Sequence, residues 1–293
     1  MTLIGTDGRS FDNDDLEAAI QMGVRAGVAI DNANVYAERD IVARTLQRSL
    51  LPPTLPPVPG LDVAAHYRPG SVAHGIGGDF YDIFPAGTSS WRVVVGDVCG
   101  KGVDAAALTT AVRYAIRTAA VLTESPVDVL ELVNETLLHD DWGERFATLS
   151  LVTLDLLDEG LRITVANGGH PSPLLRRADG TVERLATDGM LLGALPEAVF
   201  TGTTAVLHPG DCLLLYTDGA TEAGRPPNLF GDERLARTLA AAPVDTASAV
   251  IDAVAGEVDR FVAATVADTV DDDRHGSRDG VADDLALVAL VVR

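Results

Sequence analysis

The sequence predicts an α+β fold in which antiparallel sheets are covered by helices. Its strand-like apolar runs cluster in hairpin-like groups and do not alternate one for one with helices. Hydrophobic residues make up 47% of the 293 residues, which is enough for a sizeable core. This length allows one large domain, or one domain with an extension.

A long helix is predicted first, over about residues 14–51. Val28, Val35 and Val42 recur every seven residues, a spacing typical of a short coiled-coil seam. Five prolines in residues 50–60 end the helix and favour an extended linker. The seam is consistent with a helix packed on its own domain, or with a helix that pairs with a second copy of the chain or transmits a signal. We therefore expect a helical extension (1–51), a proline-rich linker (52–60) and a main domain (61–293).

The main domain is predicted to contain ten strands and four helices. The first of these helices is rich in alanine, and the second has Pro126 in its first turn. Gly160 and the two acidic residues before it predict a hairpin turn, and residues 268–280 read as an acidic loop. The predicted strands are 61–67, 78–84, 91–98, 146–156, 161–169, 173–177, 182–186, 199–207, 211–217 and 283–293. The predicted helices are 102–122, 125–139, 231–241 and 245–265.

Composition excludes several classes of function. The formal net charge of −21 argues against nucleic-acid binding, which needs a basic surface, and against docking on anionic membranes. No stretch has the roughly 20 apolar residues that span a bilayer, and no signal peptide is recognisable, so we expect a cytoplasmic protein. Cys99 and Cys212 lie in apolar runs and predict buried, reduced thiols.

Aspartates recur where predicted strands begin or end, usually beside glycine. They are Asp79, Asp97, Asp218 and the pair Asp283 and Asp284. Carboxylates that converge on one point repel each other unless a cation lies among them, and Mg²⁺ and Mn²⁺ prefer oxygen ligands. Asp-Gly is also a common turn dipeptide, so a simple turn is the more frequent explanation of any one site, and only the recurrence at several strand ends favours a metal site.

Two other motifs are weaker candidates. The stretch GDVCGKG at 96–102 superficially suggests a P-loop, but its glycine spacing is one residue short and no Ser or Thr follows the lysine. His170, in NGGHP at 167–171, is interpreted as a structural turn residue. The six histidines have no zinc-site spacing.

Five stretches together resemble the SpoIIE/RsbU-type bacterial serine/threonine phosphatases, which belong to the metal-dependent (type 2C) protein phosphatase superfamily. They are LQRSLLPPTLPPVPGLDVAAHYRPGSVAHGIGGDFYDIF, VVVGDVCGKGVDAAALTTAVR, NGGHPSPLL, YTDGATEA and ADDLALVALVVR. The resemblance covers about residues 44–293. It implies a four-layer α-β-β-α sandwich, with two antiparallel sheets flanked by helices and preceded by the long N-terminal helix. It also implies two Mn²⁺ or Mg²⁺ ions.

The resemblance further implies roles for individual residues. Asp97 would bridge both ions, with Asp79 and the Val98 carbonyl on the second ion. Water activated by the metals would attack phosphorus in line. The histidine proposed as general acid in eukaryotic relatives is absent, since Asp97-Val98-Cys99 stands at its motif, and no arginine matches their phosphate-binding residue, so the substrate-binding residues are unknown. The other implied positions are Asp218 and Asp283 on the first ion, and Asp82 and Asp284 as orienting residues.

The implied partner is a phosphorylated STAS-domain anti-sigma-factor antagonist. The N-terminal helix is similar to the end of a GAF sensor domain, and we expect it to mediate a homodimer and to regulate the site. Two alternatives stay open. One is a phosphatase-like module that binds its partner without turnover, and the other is a different two-metal phosphoesterase that acts on small molecules.

Overall fold

The computed structural model describes residues 12–70, 77–87, 90–157, 160–269 and 283–293, without the side chains of 36–49 and 266–269. The chain divides into two compact units, Met1–Thr45 and Leu46–Arg293. Most of the predicted acidic loop, the residues before Gly160 in the predicted turn and the Val42 side chain lie outside the described residues. Among the described residues, no helix combines the length and the apolar composition needed to cross a membrane.

The structure contains six helices and twelve strands within the described residues. The helices are α1 (Asn13–Leu50), α2 (Val103–Leu122), α3 (Pro126–His139), α4 (Asp218–Thr221), α5 (Asp232–Ala241) and α6 (Ala247–Thr269). The strands are β1 (Leu61–Arg68), β2 (Phe80–Pro85), β3 (Ser90–Val98), β4 (Ala147–Leu156), β5 (Leu161–Gly168), β6 (Leu174–Arg176), β7 (Val182–Arg184), β8 (Gly202–Leu207), β9 (Cys212–Tyr216), β10 (Gly224–Arg225), β11 (Asn228–Leu229) and β12 (Leu285–Val292).

Helix α1 begins where the sequence predicts. Asp12 and Asp15 exchange hydrogen bonds across the first turn, because the Asp15 amide donates to Asp12 Oδ1 at 2.9 Å and the Asp12 amide to Asp15 Oδ2 at 3.3 Å. Val28 and Val35 of the predicted seam are both exposed.

Two five-stranded antiparallel sheets form the centre of the unit Leu46–Arg293. The first has the strand order β1-β12-β9-β6-β7, and the second has the order β2-β3-β4-β5-β8. Three apolar clusters separate four layers. One lies between α2, α3 and the second sheet, one between the two sheets, and one between the first sheet and α5 with α6. This confirms the predicted α-β-β-α sandwich.

Strand alternation explains how each sheet presents two apolar faces. In β3, Val94 packs toward the helices, whereas Val93 and Val95 pack between the sheets. The predicted hairpin of β4 and β5 is confirmed by antiparallel pairing that begins at Leu156 and Leu161. Ser125 caps α3 by accepting a hydrogen bond from the Asp128 amide.

The structure adds elements that hydrophobic patterns did not predict. Helix α4 is a single turn directly after β9, and β10 with β11 forms a two-residue ribbon. Such short elements have too few residues for a periodic signal. The proline-rich stretch has no helix or strand, but Val58 is buried between the two sheets. This stretch is therefore packed against the sandwich at Val58.

Candidate metal centre

Four chain segments that carry aspartates line one cavity of about 360 Å³. They are the loop before β2, the end of β3, the start of α4 and the residues before β12. Each is the end of a strand or helix, so the side chains it carries are aimed from a rigid position. The cavity is lined by five aspartates, Asp79, Asp97, Asp218, Asp283 and Asp284. The structure thus brings together all the strand-end carboxylates that the sequence singled out.

Glycines allow these segments to approach one another. A Cβ atom on Gly77 would overlap the Asp284 carboxylate, and one on Gly78 would overlap the Val98 carbonyl and the Asp97 carboxylate. A Cβ on Gly219 would overlap the Asp284 carbonyl. The glycines beside the aspartates therefore serve close packing of the backbone around the cavity.

Hydrogen bonds fix two of the carboxylates. Thr217 Oγ1 donates to Asp79 Oδ2 at 2.6 Å and accepts from the Ala286 amide at 2.9 Å, so it links Asp79 to β12. The Gly70 amide donates to Asp284 Oδ1 at 2.6 Å. Tyr67 adds a side-chain hydrogen bond to the Asp284 carboxylate, so both carboxylates are held in position by neighbouring groups.

The carboxylates are crowded electrostatically. Burial, followed by the charges of Asp218, Asp283 and Asp284, raises the pKa of Asp97 to about 7. Burial and the charge of Asp97 raise the pKa of Asp79 well above its usual value. The pKa values of Asp218 and Asp284 are also raised, chiefly by burial. A cation in the cavity would relieve this repulsion.

A single cationic side chain is found among the described residues that line the cavity. Lys101 Nζ donates to Asp283 Oδ1 at 2.9 Å. Burial lowers the pKa of Lys101, but the hydrogen bond to Asp283 and the charges of Asp283, Asp284 and Asp97 outweigh it, so the pKa is raised overall. The lysine is therefore a charged partner of the carboxylate cluster.

The residues of the cavity fit a hard divalent cation. The donor set is all oxygen, with carboxylates and the Val98 carbonyl, which is the set that Mg²⁺ and Mn²⁺ take. The glycine contacts hold this carbonyl and Asp97 beside the loop that carries Asp79. In the described part of the chain, no three His, Cys, Asp or Glu side chains are placed so that they could hold a metal ion as they stand. The cavity thus offers the ligands without a closed coordination sphere.

Asp82 does not line this cavity. It lies on the face of β2 that Phe80 and Phe84 share, toward the helices. Arg117 binds both of its carboxylate oxygens at 2.8 Å, and Arg113 Nη2 donates to Oδ2 at 3.0 Å. These contacts differ from the orienting role at the cavity that we expected for Asp82, because they fix α2 on the second sheet.

We expect Asp82→Asn to destabilise the fold and leave the metal site intact. The change removes the charge that a buried carboxylate shares with two arginines, which costs about 3 kcal/mol. Thermal unfolding should detect a clear fall in Tm, with unchanged Mn²⁺ affinity by calorimetry. Glu257→Gln removes the exposed ion pair with Arg260 and serves as the control with an effect within about 0.5 kcal/mol. If a folded Asp82→Asn protein lost Mn²⁺ binding, Asp82 would have to be counted among the residues that support the metal centre.

His170 and Cys99 border the site without belonging to the carboxylate cluster. Burial lowers the pKa of His170 to about 3, so the ring is neutral, and Asn167 binds both its backbone amide and its carbonyl. These contacts fit a structural turn. Cys99 lines the cavity and is only half-buried, which corrects the expectation of two buried thiols, whereas Cys212 is fully buried. Cys99 directly follows the last residue of β3, a position whose exposure hydrophobicity does not predict.

A second cavity of about 560 Å³ lies between α5 and α6. It is lined by Arg234, Arg237 and Arg260, and all three already have contacts, since Arg237 Nε donates to the Glu233 carbonyl at 3.3 Å. Arg234 lies over the ring of Phe261, and Arg260 is paired with Glu257. This cavity has no cluster of carboxylates among the described residues that line it.

Sequence reasoning missed two residues at the metal centre. Thr217 precedes Asp218 in the quoted YTDGATEA stretch. The hydrogen bond of Thr217 to Asp79 becomes visible only in the folded structure, where β9 pairs with β12. Lys101 was considered only as part of a P-loop. Its position in GDVCGKG, beside three glycines and Asp97, was the feature of the sequence that could have indicated a lysine at the metal centre.

The chain is similar to several known proteins. The sequence profile of the family described as Stage II sporulation protein E (SpoIIE) matches residues 87–293. Protein IcfG of Synechocystis sp. is 30% identical over 227 residues, which cover 68% of this chain and 35% of IcfG. Phosphoserine phosphatase RsbU of Bacillus subtilis is 27% identical over 182 residues, which cover 62% of this chain and 52% of RsbU.

A solved structure shares the fold. The crystal structure of the RsbU and RsbW domains of Rv1364c from Mycobacterium tuberculosis is similar with a TM-score of 0.65 and 29% identity, over 81% of this chain and 61% of that one. The matches span about a third and about half of the length of the two curated relatives.

Proposed function

This chain belongs to the SpoIIE family, and from that premise we propose that it is a metal-dependent phosphatase of phosphoserine or phosphothreonine in proteins. The observation that carries the proposal is the convergence of five aspartates and one backbone carbonyl on a single cavity. The similarity to phosphoserine phosphatase RsbU supports the same reaction class.

We assign the ligand roles as follows. Asp97 would hold both metal ions. Asp79 and the Val98 carbonyl would hold one ion, and Asp218 with Asp283 would hold the other. Thr217 holds Asp79, and the Gly70 amide holds Asp284, so both carboxylates are oriented before any ligand arrives. Two Mn²⁺ or Mg²⁺ ions would supply Lewis acidity that activates water and neutralises charge on the phosphoryl group.

The chain's own residues would prepare the site for this chemistry. The carboxylate pKa values are raised while no cation is present, so cation binding displaces protons and is favoured by the relief of repulsion. The fixed positions of the strand ends and glycines mean that little reorganisation is needed when the substrate binds.

Hydrolysis of para-nitrophenyl phosphate tests the proposal. We expect turnover that requires Mn²⁺ and is abolished by a chelator. Mn²⁺ binding without hydrolysis of either this compound or a phosphoserine protein would instead favour the phosphatase-like binding module. Faster hydrolysis of small phosphate esters than of any phosphoprotein would favour the small-molecule phosphoesterase.

We further propose that the physiological substrate is a phosphorylated STAS-domain anti-sigma-factor antagonist. The support is the similarity to RsbU and to a protein whose chain carries both RsbU and RsbW domains. Release of phosphate from a purified phosphorylated STAS protein, compared with an unrelated phosphoserine protein, measures this preference. Equal rates on both would argue against it.

We also propose that α1 pairs with a second copy of the chain. Val28 and Val35 are exposed at a spacing of seven residues, and Ile20 and Val24 add apolar surface on the same helix. Light scattering of the full chain should report a dimer, and Val28→Asp should give a monomer. A monomeric parent protein at high concentration would contradict the proposal.

A further inference from the structure

Lys101 is the only lysine in the chain, since the other 21 of the 22 basic residues are arginines. This one lysine lies at the cavity that holds the aspartates. The sequence therefore uses arginine at every basic position except the one that faces the metal centre. Lys101 has no role in the metal ligation proposed above.

The loop that carries Lys101 requires glycine on both sides of the lysine. Gly100 and Gly102 have φ angles of +108° and +94°, which residues with side chains rarely adopt. The loop connects β3, which ends in Asp97 and Val98, to α2. The lysine is thus held a few residues from the proposed bridging ligand.

The partner of Lys101 has a competing role. Asp283 accepts a hydrogen bond from Lys101 Nζ at 2.9 Å, and the same carboxylate is a proposed metal ligand. An ammonium group and a divalent cation repel each other, so both cannot hold this carboxylate oxygen without cost. The two side chains are 42% and 57% exposed, so the pair is accessible to solvent and can open.

We propose that Lys101 is a mobile counter-ion, which neutralises Asp283 in the metal-free site and turns to the phosphoryl oxygens of the substrate once metal holds Asp283. The inference rests on the proposed function and adds a residue that binds the phosphate.

The chemistry of the lysine side chain suits this exchange. An ammonium group is a compact point charge on a flexible stem, and it binds a carboxylate through single hydrogen bonds. A guanidinium binds a carboxylate through two parallel hydrogen bonds in a planar fork, as Arg117 binds Asp82 here. An arginine at position 101 would therefore hold Asp283 more firmly against a metal ion.

A plain surface ion pair is the competing explanation. Exposed pairs contribute little to stability, and a lysine that only pairs with Asp283 would make no contact with bound phosphate. The two explanations differ in what happens to Lys101 when metal and phosphate bind. They can be separated by binding measurements that need no turnover.

Titration of Mn²⁺ into the metal-free protein by calorimetry gives the first comparison. We expect Lys101→Met to bind Mn²⁺ about threefold to tenfold more tightly than the parent protein, and Lys101→Arg to bind it more weakly. Inorganic phosphate is then titrated into the metal-loaded proteins. Lys101→Met should bind phosphate about tenfold more weakly, whereas Lys101→Arg should retain most of the affinity.

The single lysine also allows a direct spectroscopic measurement. Reductive methylation with ¹³C labels only Lys101 and the N-terminal amine, and Lys101→Arg identifies the lysine signal. We expect this signal to move when Mg²⁺ is added and to move again with inorganic phosphate. As a control, the affinity for inorganic phosphate is measured for the methylated and the unmodified protein, and equal affinities show that the methyl groups do not disturb binding.

The outcomes are distinct. Suppose first that the parent protein binds Mn²⁺. If Lys101→Met then binds metal and phosphate with the same affinities as the parent, or if the NMR signal of Lys101 does not move, the counter-ion inference is wrong and the phosphatase proposal stands. If the parent protein binds no divalent cation, both are wrong.

Discussion

Asp97→Asn should lose roughly a thousandfold or more of the Mn²⁺-dependent turnover of para-nitrophenyl phosphate. Asp97 is the next-to-last residue of β3 and lines the cavity, and the charges of three other aspartates act on it. An amide has nearly the same shape but is neutral and cannot bridge two cations as a carboxylate does. The rate at saturating Mn²⁺, compared with the parent protein, measures the loss.

The same variant should be more stable than the parent protein in the absence of metal. The folded-state pKa of Asp97 is about 7, above the ordinary value of 3.8, so the folded protein holds a proton that the unfolded chain releases. The stability from this proton is fully present below about pH 4 and is lost as the pH rises to about 7. The asparagine of the variant does not titrate. The stability curves of the two proteins should therefore coincide near pH 4 and separate by a few kcal/mol by pH 7 to 8.

This gain in stability is the control for the loss of activity. A variant that is folded, more stable and inactive has lost chemistry and not structure. Full activity in the Asp97→Asn variant would show that Asp97 is not a ligand that the reaction requires. A less stable metal-free variant at pH 8 would mean that the carboxylates do not repel one another in the cavity.

Gly78→Ala should weaken Mn²⁺ binding by at least about tenfold and reduce activity with it. The added Cβ would overlap the Val98 carbonyl and the Asp97 carboxylate, and backbone atoms cannot move aside as a flexible side chain can. The loop that carries Asp79 must then shift away from the end of β3. Calorimetry with Mn²⁺ and the rate of hydrolysis give the two readouts.

Gly256→Ala is the matched control for this substitution. Gly256 lies inside α6, and a Cβ there meets no atom within 4 Å. Alanine favours a helix over glycine by about 1 kcal/mol, so this variant should be slightly more stable and fully active. If Gly78→Ala binds Mn²⁺ as tightly as Gly256→Ala does, the glycine contacts are not needed for the metal centre.

The sequence predicts much of this fold because its elements are long and strongly patterned. Strand β12 and helix α3 appear where their apolar runs and the Ser125-Pro126 start signal indicate. The one-turn helix α4 could not be predicted, since four residues carry no period. It matters nonetheless, because it begins with Asp218 and turns that carboxylate toward the cavity.

The site is predictable as a set of residues but not as a set of contacts. The aspartates share a recognisable position at strand ends, which is a local feature. Asp82 has the same local appearance in GIGGDFYDIF, yet alternation along β2 directs it to the helices. Whether a carboxylate faces the cavity depends on strand register and on distant partners such as Thr217, and these are properties of the assembled sheets.

Counting the Mn²⁺ ions that bind to the metal-free protein tests the central claim most directly. Calorimetric titration, with electron paramagnetic resonance of the bound ions, should give two Mn²⁺ per chain that are close enough to couple magnetically. In Asp97→Asn the coupled pair should be absent. A parent protein that binds no Mn²⁺, or an Asp97→Asn variant that binds a coupled pair as the parent does, would contradict the account.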